Sequence, residues 1–231
     1  MTDLQADELP NERIIAIDGT SGSGKSTVAR GLGAELGLHI LETGSLYRAV
    51  TLVCLENGID VHDEEEVLKA IDDLHFRYEN GPYIDSRNIS SDIRSHEVAI
   101  NVSHVSIHPK VRAKLTQIMR HWIVQHGGGV VEGRDITTVV APDAAIRVFI
   151  DAPEDVRAKR RQIDPNDNTE QRTQSEIQEV IALRDKIDST RTASPLTRAD
   201  GVPEIDSSQY SADHIIHAIA DAFKNSQPIK L

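Results

Sequence analysis

The chain alternates between short apolar runs and longer stretches in which apolar residues recur every three or four positions. Ile14-Ile15-Ala16-Ile17 is a nearly continuous apolar run closed by Asp18 and Gly19, the pattern of a strand covered on both faces of a parallel sheet. The spacing predicts a helix from about Lys25 to Leu36, a short strand within "LGLHILET", and a helix in "GSLYRAVTLVCLENGI". In that helix Leu46, Ala49, Val50, Val53 and Cys54 fall at i, i+3, i+4, i+7 and i+8, one buried stripe. Strands follow in "GVVEGRD" and "AAIRVFIDA", then a basic helix in "PEDVRAKRRQ" that starts at Pro153. A long helix ends near Asp188, a weak strand lies near Ile205, and a closing helix carries Ile215, Ile216, Ile219 and Phe223 on one side.

Between Val61 and Ser90 the alternation of strand and helix is interrupted. "DEEEVLKAIDDL" suits a short surface helix, and Phe76 and Tyr78 alternate into the turn signal Asn80-Gly81-Pro82, with Tyr83 and Ile84 beyond it. That is the outline of a β-hairpin, and the segment reads as an inserted subdomain. Helix resumes at "SSDIRSHEVA" and breaks near Pro109, because the residue before proline avoids the α region. A length of 231 residues suits one domain with a small insert. The expectation is a flexible tail over 1–12 and an α/β domain over 13–231, a doubly wound parallel sheet of the P-loop NTPase type. It carries the insert at about 61–90 and a short lid at about 153–170.

The strongest chemical signal lies after the first strand, in Gly19-Thr20-Ser21-Gly22-Ser23-Gly24-Lys25-Ser26-Thr27. Gly19, Gly24, Lys25 and Ser26 satisfy G-x-x-x-x-G-K followed by Ser or Thr. Backbone N–H groups of such a turn wrap the phosphates of a nucleoside triphosphate, Lys25 can reach the β- and γ-phosphates, and the Ser26 hydroxyl can ligate Mg²⁺. The helix that follows points its positive end at the same place. A glycine-serine turn can match this spacing by chance, but the strand before it and the helix after it argue against chance. The phosphoryl acceptor stays open at this point.

Composition narrows the field. With 25 basic and 37 acidic residues the formal charge is −12, which excludes a sequence-independent nucleic-acid binder. Aromatic residues at 3% leave little for a base-stacking platform of the single-strand-binding type. The single cysteine, Cys54, excludes an intramolecular disulfide and suits a reducing cytoplasm. No apolar stretch approaches the ~20 residues of a membrane span, and "MTDLQADELPNER" lacks the apolar core of a secretory signal. A cytoplasmic, monomeric enzyme for small substrates is expected.

In so acidic a chain, arginines at helix starts and strand ends mark ligand-facing places: Arg48, Arg112, Arg134, Arg157, Arg160, Arg161, Arg184 and Arg191. Phosphoryl transfer asks for charge neutralisation and alignment, and the planar arginine fork binds phosphate oxygens bidentately. Arg157, Arg160 and Arg161 suit a solvated helix face equally well. Glu132, in Glu132-Gly133-Arg134-Asp135 at a strand end, is placed to hold the waters around Mg²⁺. His104 and His108 stand at i, i+4 without a third ligand at zinc spacing.

Taken together, "IAIDGTSGSGKST", "TGSLYRA", the hairpin before "ISSDIRSHEVA", "HPKVRAKL", "EGRDITTVVAPDA", "DAPEDVRAKRRQ" and "ALRDKIDSTRTASPL" resemble the bacterial cytidylate kinases, the (d)CMP kinases of the nucleoside monophosphate kinase group. The likeness covers nearly the whole chain after the tail. It implies transfer of the ATP γ-phosphoryl group to CMP or dCMP. Arg48, Arg134 and Arg191 would clamp the acceptor phosphate, with Thr43 and Tyr47 nearby. Asp188 and Arg184 would hold the ribose, Ser103, Arg112 and Asp135 would read the base, and Arg157, Arg160 and Arg161 would belong to a lid over ATP. The chain departs from the family pattern at Thr137, usually glycine, and at Ser45-Leu46, usually an alanine-led aliphatic pair. The rival readings are a P-loop kinase for UMP or another small acceptor and a nucleotide-hydrolysing switch. The chain has neither N-K-x-D nor D-x-x-G, which counts against the switch.

Overall fold

The computed structural model describes residues 8–79, 81–164 and 173–231. In chain order the elements are β1 (Ile14–Gly19), α1 (Lys25–Leu36), β2 (Ile40–Glu42), α2 (Thr43–Glu56), α3 (Glu64–Asp72), β3 (Phe76–Tyr78), β4 (Pro82–Ile84), β5 (Arg87–Asn88), α4 (His96–Ser106) and α5 (Pro109–Gln125). They continue with β6 (Gly129–Glu132), a π-helical turn (Ile136–Val140), β7 (Ile146–Asp151), α6 (Glu154–Ile163), α7 (Gln174–Thr190), β8 (Glu204–Asp206) and α8 (Ala212–Asn225).

Five strands form one sheet in the order β2-β6-β1-β7-β8, and every pairing in it is parallel. The alternation of β1 divides the core. Ile14 and Ala16 pack with α2 and α5 residues such as Leu46, Val50, Leu115 and Met119. Ile15 and Ile17 pack on the other face with Val28 and Leu32 of α1 and Ile215 and Ile219 of α8. This is the doubly wound arrangement that the two-face burial of β1 implies. From β6 the chain crosses over β1 to β7, and ligands bind at the carboxyl ends of strands beside such a switch.

The stripe expected on α2 is buried at Leu46, Ala49, Val50 and Cys54, with Val53 half-buried against the same core, and Leu52 outside the stripe is buried as well. The helix is covered on two sides: Ala49 and Leu52 pack away from the sheet against Ile89, Ile93 and Val98. The stripe alone understates the burial of a helix that lies between the sheet and a layer built from the insert and the start of α4. In that insert β3, β4 and β5 make an antiparallel sheet, with Tyr78 opposite Pro82. Asn80 of the expected turn lies outside the described residues. The α3 helix starts at Asp63, whose carboxylate accepts from the amides of Glu65 and Glu66.

The break at Pro109 falls as expected, with the proline in the first turn of α5. The expected tail boundary at 12/13 falls inside a short 3-10 turn, Asn11–Arg13, which is pinned where the Ala145 amide donates to Asn11 O at 2.8 Å. Residues 1–7 of that tail and 165–170 of the expected lid lie outside the described residues; the rest of the lid is mostly α6. Thr173 and Glu176 cap α7 reciprocally.

Candidate active site

Gly19 ends β1 against the neighbouring strand, where a Cβ would come 1.8 Å from Ile150 O, so only glycine fits. Gly24, with φ +91°, starts α1. Within the turn Lys25 Nζ donates to Thr20 O at 2.5 Å and to Ser23 Oγ at 3.4 Å. Burial, with Arg134 nearby, lowers the Lys25 ammonium from its ordinary 10.5 to about 7. The Thr20 hydroxyl donates to Asp151, and Ser23 Oγ donates to Thr20 O at 3.0 Å. Gly22 and Thr27 line the cleft beside them.

Arg157 is not part of a solvated face, nor does it face the cleft. It is buried beneath the turn, donating to Ser21 O and Ala152 O at 2.9 Å each and pairing with Asp185. Asp185 in turn accepts from the Ser21 amide at 3.0 Å. Arg160 donates to Ser207 Oγ and O at 2.8 and 2.7 Å, and it lines the cleft with Arg161.

At the start of α1, Ser26 Oγ donates to Glu132 Oε1 at 3.0 Å. Thr43 Oγ1 donates to Glu132 O at 2.9 Å. Glu42 stands in register with Glu132 at the end of the next strand, where Arg30 donates to it at 2.5 Å. Burial and the Glu132 charge raise the Glu42 carboxyl. A hydroxyl and two carboxylates grouped at one edge of the turn are hard oxygen donors, the set that Mg²⁺ takes, usually through water.

At the other end of the cleft, Asp188 gathers the arginines. Arg134 Nε reaches Asp188 Oδ2 at 3.1 Å and Arg191 reaches Asp188 Oδ1 at 2.9 Å. Burial acts to raise the Asp188 carboxyl, but Arg134, Arg184 and Arg191 outweigh it and hold the group below its ordinary value. Arg184 is lowered to about 10 by burial and by Arg134. Arg48 donates to Ile93 O at 2.8 Å. Deeper in, Arg112 pairs with Asp135 at 2.5 Å, with both side chains buried, and lies over the Tyr47 ring at 5.1 Å. Ser103 lines the cleft beside them.

Arg112 Nε and Arg191 Nη2 are buried and have no hydrogen-bond partner among the described residues. Buried donors without acceptors are costly, and both belong to arginines that line this end of the cleft.

Sequence reasoning passed over Glu42, Asp185 and Asp18. Each reads as an ordinary acidic residue, and only the pairing of distant segments gives it partners. Asp185, between Arg184 and Asp188, carried one usable signal, its place in a run of site residues.

A phosphate-binding turn that faces arginines gathered on one aspartate, across a cleft of about 620 Å³, defines a P-loop kinase of the nucleotide-phosphorylating type. The chain matches the cytidylate kinase family over residues 15–225. It is 37% identical over 216 residues to the cytidylate kinase of Anoxybacillus flavithermus, covering 89% of this chain and 93% of that one. To the cytidylate kinase of Mycobacterium leprae it is 38% identical over 215 residues, covering 91% and 95%. The chain belongs to the cytidylate kinase family.

Proposed function

We propose that the protein transfers the γ-phosphoryl group of ATP to CMP and dCMP, giving ADP and CDP or dCDP, as a step of pyrimidine nucleotide metabolism. The observation that carries this reading is the buried pairing of Arg112 with Asp135 beside Arg134, Arg191 and Asp188. A base-reading pair and a phosphate-holding pair lie together opposite Lys25. The amides of residues 20–27 and Lys25 hold the triphosphate. Arg134, Arg191 and Arg48 neutralise the acceptor phosphate, so that one of its oxygens attacks the γ-phosphorus while the bond to the β-phosphate oxygen breaks. Arg184 and Asp188 hold the ribose, and Arg160 and Arg161 cover the donor side, with Arg157 bracing the turn from below.

Ser26 and Glu132 would hold Mg²⁺ and its waters, and the ion, when bound, supplies positive charge along the transferring phosphates. The reading takes the protein as a monomer in the cytoplasm, where the buried free thiol of Cys54 suits a reducing compartment. Among the described residues no helix is long and apolar enough to cross a membrane.

A coupled assay of ADP release against the common nucleoside monophosphates tests the function. Fast turnover is expected with CMP and dCMP. A preference for UMP or a non-nucleotide alcohol, or hydrolysis that needs no acceptor, would overturn it.

A further inference from the structure

Asp18 is the last residue of β1 before the glycine that opens the phosphate-binding turn, and its surface is fully covered. Its carboxylate faces the segment after β6. Oδ1 accepts from the Ile136 amide at 2.8 Å, and Oδ2 accepts from the Thr137 amide and the Thr137 hydroxyl at 2.7 Å each. One residue earlier in β1, Ile17 O accepts from the Gly133 amide at 2.9 Å. The two anchors therefore enclose just Arg134 and Asp135, the residues that face the acceptor end of the cleft. Downstream, the amides of Val139 and Val140 both donate to Asp135 O, at 2.9 and 3.1 Å, which closes the π-helical turn on the same residue.

We propose that Asp18, completed by the Thr137 hydroxyl, is a positioning residue that sets Arg134 and Asp135 in line with the phosphate-binding turn. The inference rests on the acceptor roles given to those two residues above. The same backbone continues into Gly19, so one carboxylate fixes the spacing between the donor turn and the acceptor groups, and that spacing is what a reaction by alignment depends on. Three donors converge on two oxygens, an arrangement that only a carboxylate satisfies. An asparagine would turn its NH₂ toward one of the two backbone amides and leave that donor unpaired. Burial raises the Asp18 carboxyl to about 6, against the hydrogen bonds from Thr137 and Ile136 that favour its charged form.

Thr137 separates positioning from folding. Thr137→Val keeps the volume and both backbone bonds and removes only the hydroxyl, and Thr137→Ser restores it. Asp18→Asn is expected to lower kcat/KM for CMP by roughly tenfold to a hundredfold, the cost of misplacing reacting groups, and to narrow the CMP over UMP ratio in kcat/KM. ATP affinity, measured by calorimetry, should stay within about threefold because the turn's own amides are untouched. Thr137→Val should move the CMP values the same way by about threefold, the scale of one hydrogen bond, with Thr137→Ser near wild type. If Asp18→Asn does not fold, the Thr137 pair decides. Unchanged kcat/KM for CMP and an unchanged base ratio in folded Asp18→Asn and Thr137→Val, or equal losses for ATP and CMP, would reduce Asp18 to a structural brace. A wild-type protein that does not phosphorylate CMP would overturn the proposed function and this inference together; retained wild-type selectivity in the variants overturns only the inference.

Discussion

Ser26 donates its hydroxyl hydrogen to Glu132 Oε1 across 3.0 Å, joining the start of α1 to the end of β6. The contact orients the hydroxyl expected to face Mg²⁺ and leaves the other carboxylate oxygen for the ion's waters. Glu132→Gln keeps the shape and loses the charge. Outer-sphere partners of this kind are worth ~10–100-fold in metal affinity or activity. The half-saturating Mg²⁺ concentration should therefore rise by that factor, with KM for CMP nearly unchanged. A magnesium titration of initial rates reads it, and an unaltered titration would remove Glu132 from the metal's surroundings.

Lys25 gives a pH prediction with a definite sign. In the free protein burial lowers its ammonium to about 7, so above that pH the side chain is largely neutral. A triphosphate beside it favours the charged form. ATP binding at pH 8 should then take up close to one proton, and affinity should fall as pH rises through 7. The dependence of binding enthalpy on buffer ionisation enthalpy measures the uptake, and Lys25→Ala should abolish it. Because the folded-state value lies below the ordinary 10.5, the unfolded chain binds more protons between the two values, and the free protein gains stability across that window as pH rises. The same Lys25→Ala change should lower kcat by ~10² or more, the scale for losing a preorganised electrostatic donor. Near wild-type turnover in the folded variant would sink the assignment of the turn.

Arg134 meets Asp188 through Nε and Gly133 O through one terminal nitrogen. Its fork is divided between holding its place and facing the cleft. Lysine offers one point charge and cannot do both. Arg134→Lys should raise KM for CMP and lower kcat together, by ~10-fold or more for a charged hydrogen bond lost in a desolvated site. Steady-state kinetics decide it. The companion expectation is that ATP hydrolysis without CMP stays a small fraction of the kinase rate, because the acceptor completes the site.

The phosphate-binding turn was legible because its chemistry is local, with glycines, lysine and hydroxyl all within residues 19–27 between a strand and a helix. The two-faced sheet was legible for the same reason, since the run from Ile14 to Ile17 carries both faces in four residues. What stayed hidden depends on distant segments. Arg157 looked like one of a basic triplet, and only the meeting of α6 with Ser21 and with Asp185 of α7 turns it inward. The burial of Leu52 fell outside the helical stripe, because the layer that covers it comes from residues far along the chain, Ile89, Ile93 and Val98. The π-helical turn has no periodic signature at all, because its bonds close on Asp135 while Asp18, from β1, takes the turn's first two amides.

The base is read, on this account, by Asp135 and its partner. Cytosine offers an amino group at N4 and acceptors at N3 and O2, whereas uracil presents an acceptor at O4 and a donor at N3. Asp135 already gives one oxygen to Arg112, which leaves the other for the N4 amino group, while the Arg112 guanidinium supplies the donor side that base acceptors need. Uracil would set O4 against the carboxylate and N3–H against the guanidinium in a pocket with little water to relieve either. Sites built on such bonds discriminate by ~10⁴ or more, and wild-type kcat/KM should be far higher for CMP than for UMP. Asp135→Ala is a harsh probe, because it strands a buried guanidinium at a cost of about 3–5 kcal/mol. Asp135→Asn is the cleaner one, since its carbonyl still accepts from Arg112 while its NH₂ faces the base and can donate to uracil O4. CMP activity should fall steeply, UMP activity should hold or rise, and the ratio should narrow by ~10² or more, the cost of reversing one buried hydrogen bond to a charged group. Both substrates measured on both proteins, with thermal melting to confirm the fold, settle the point; an unchanged ratio would mean that these two residues do not choose the acceptor.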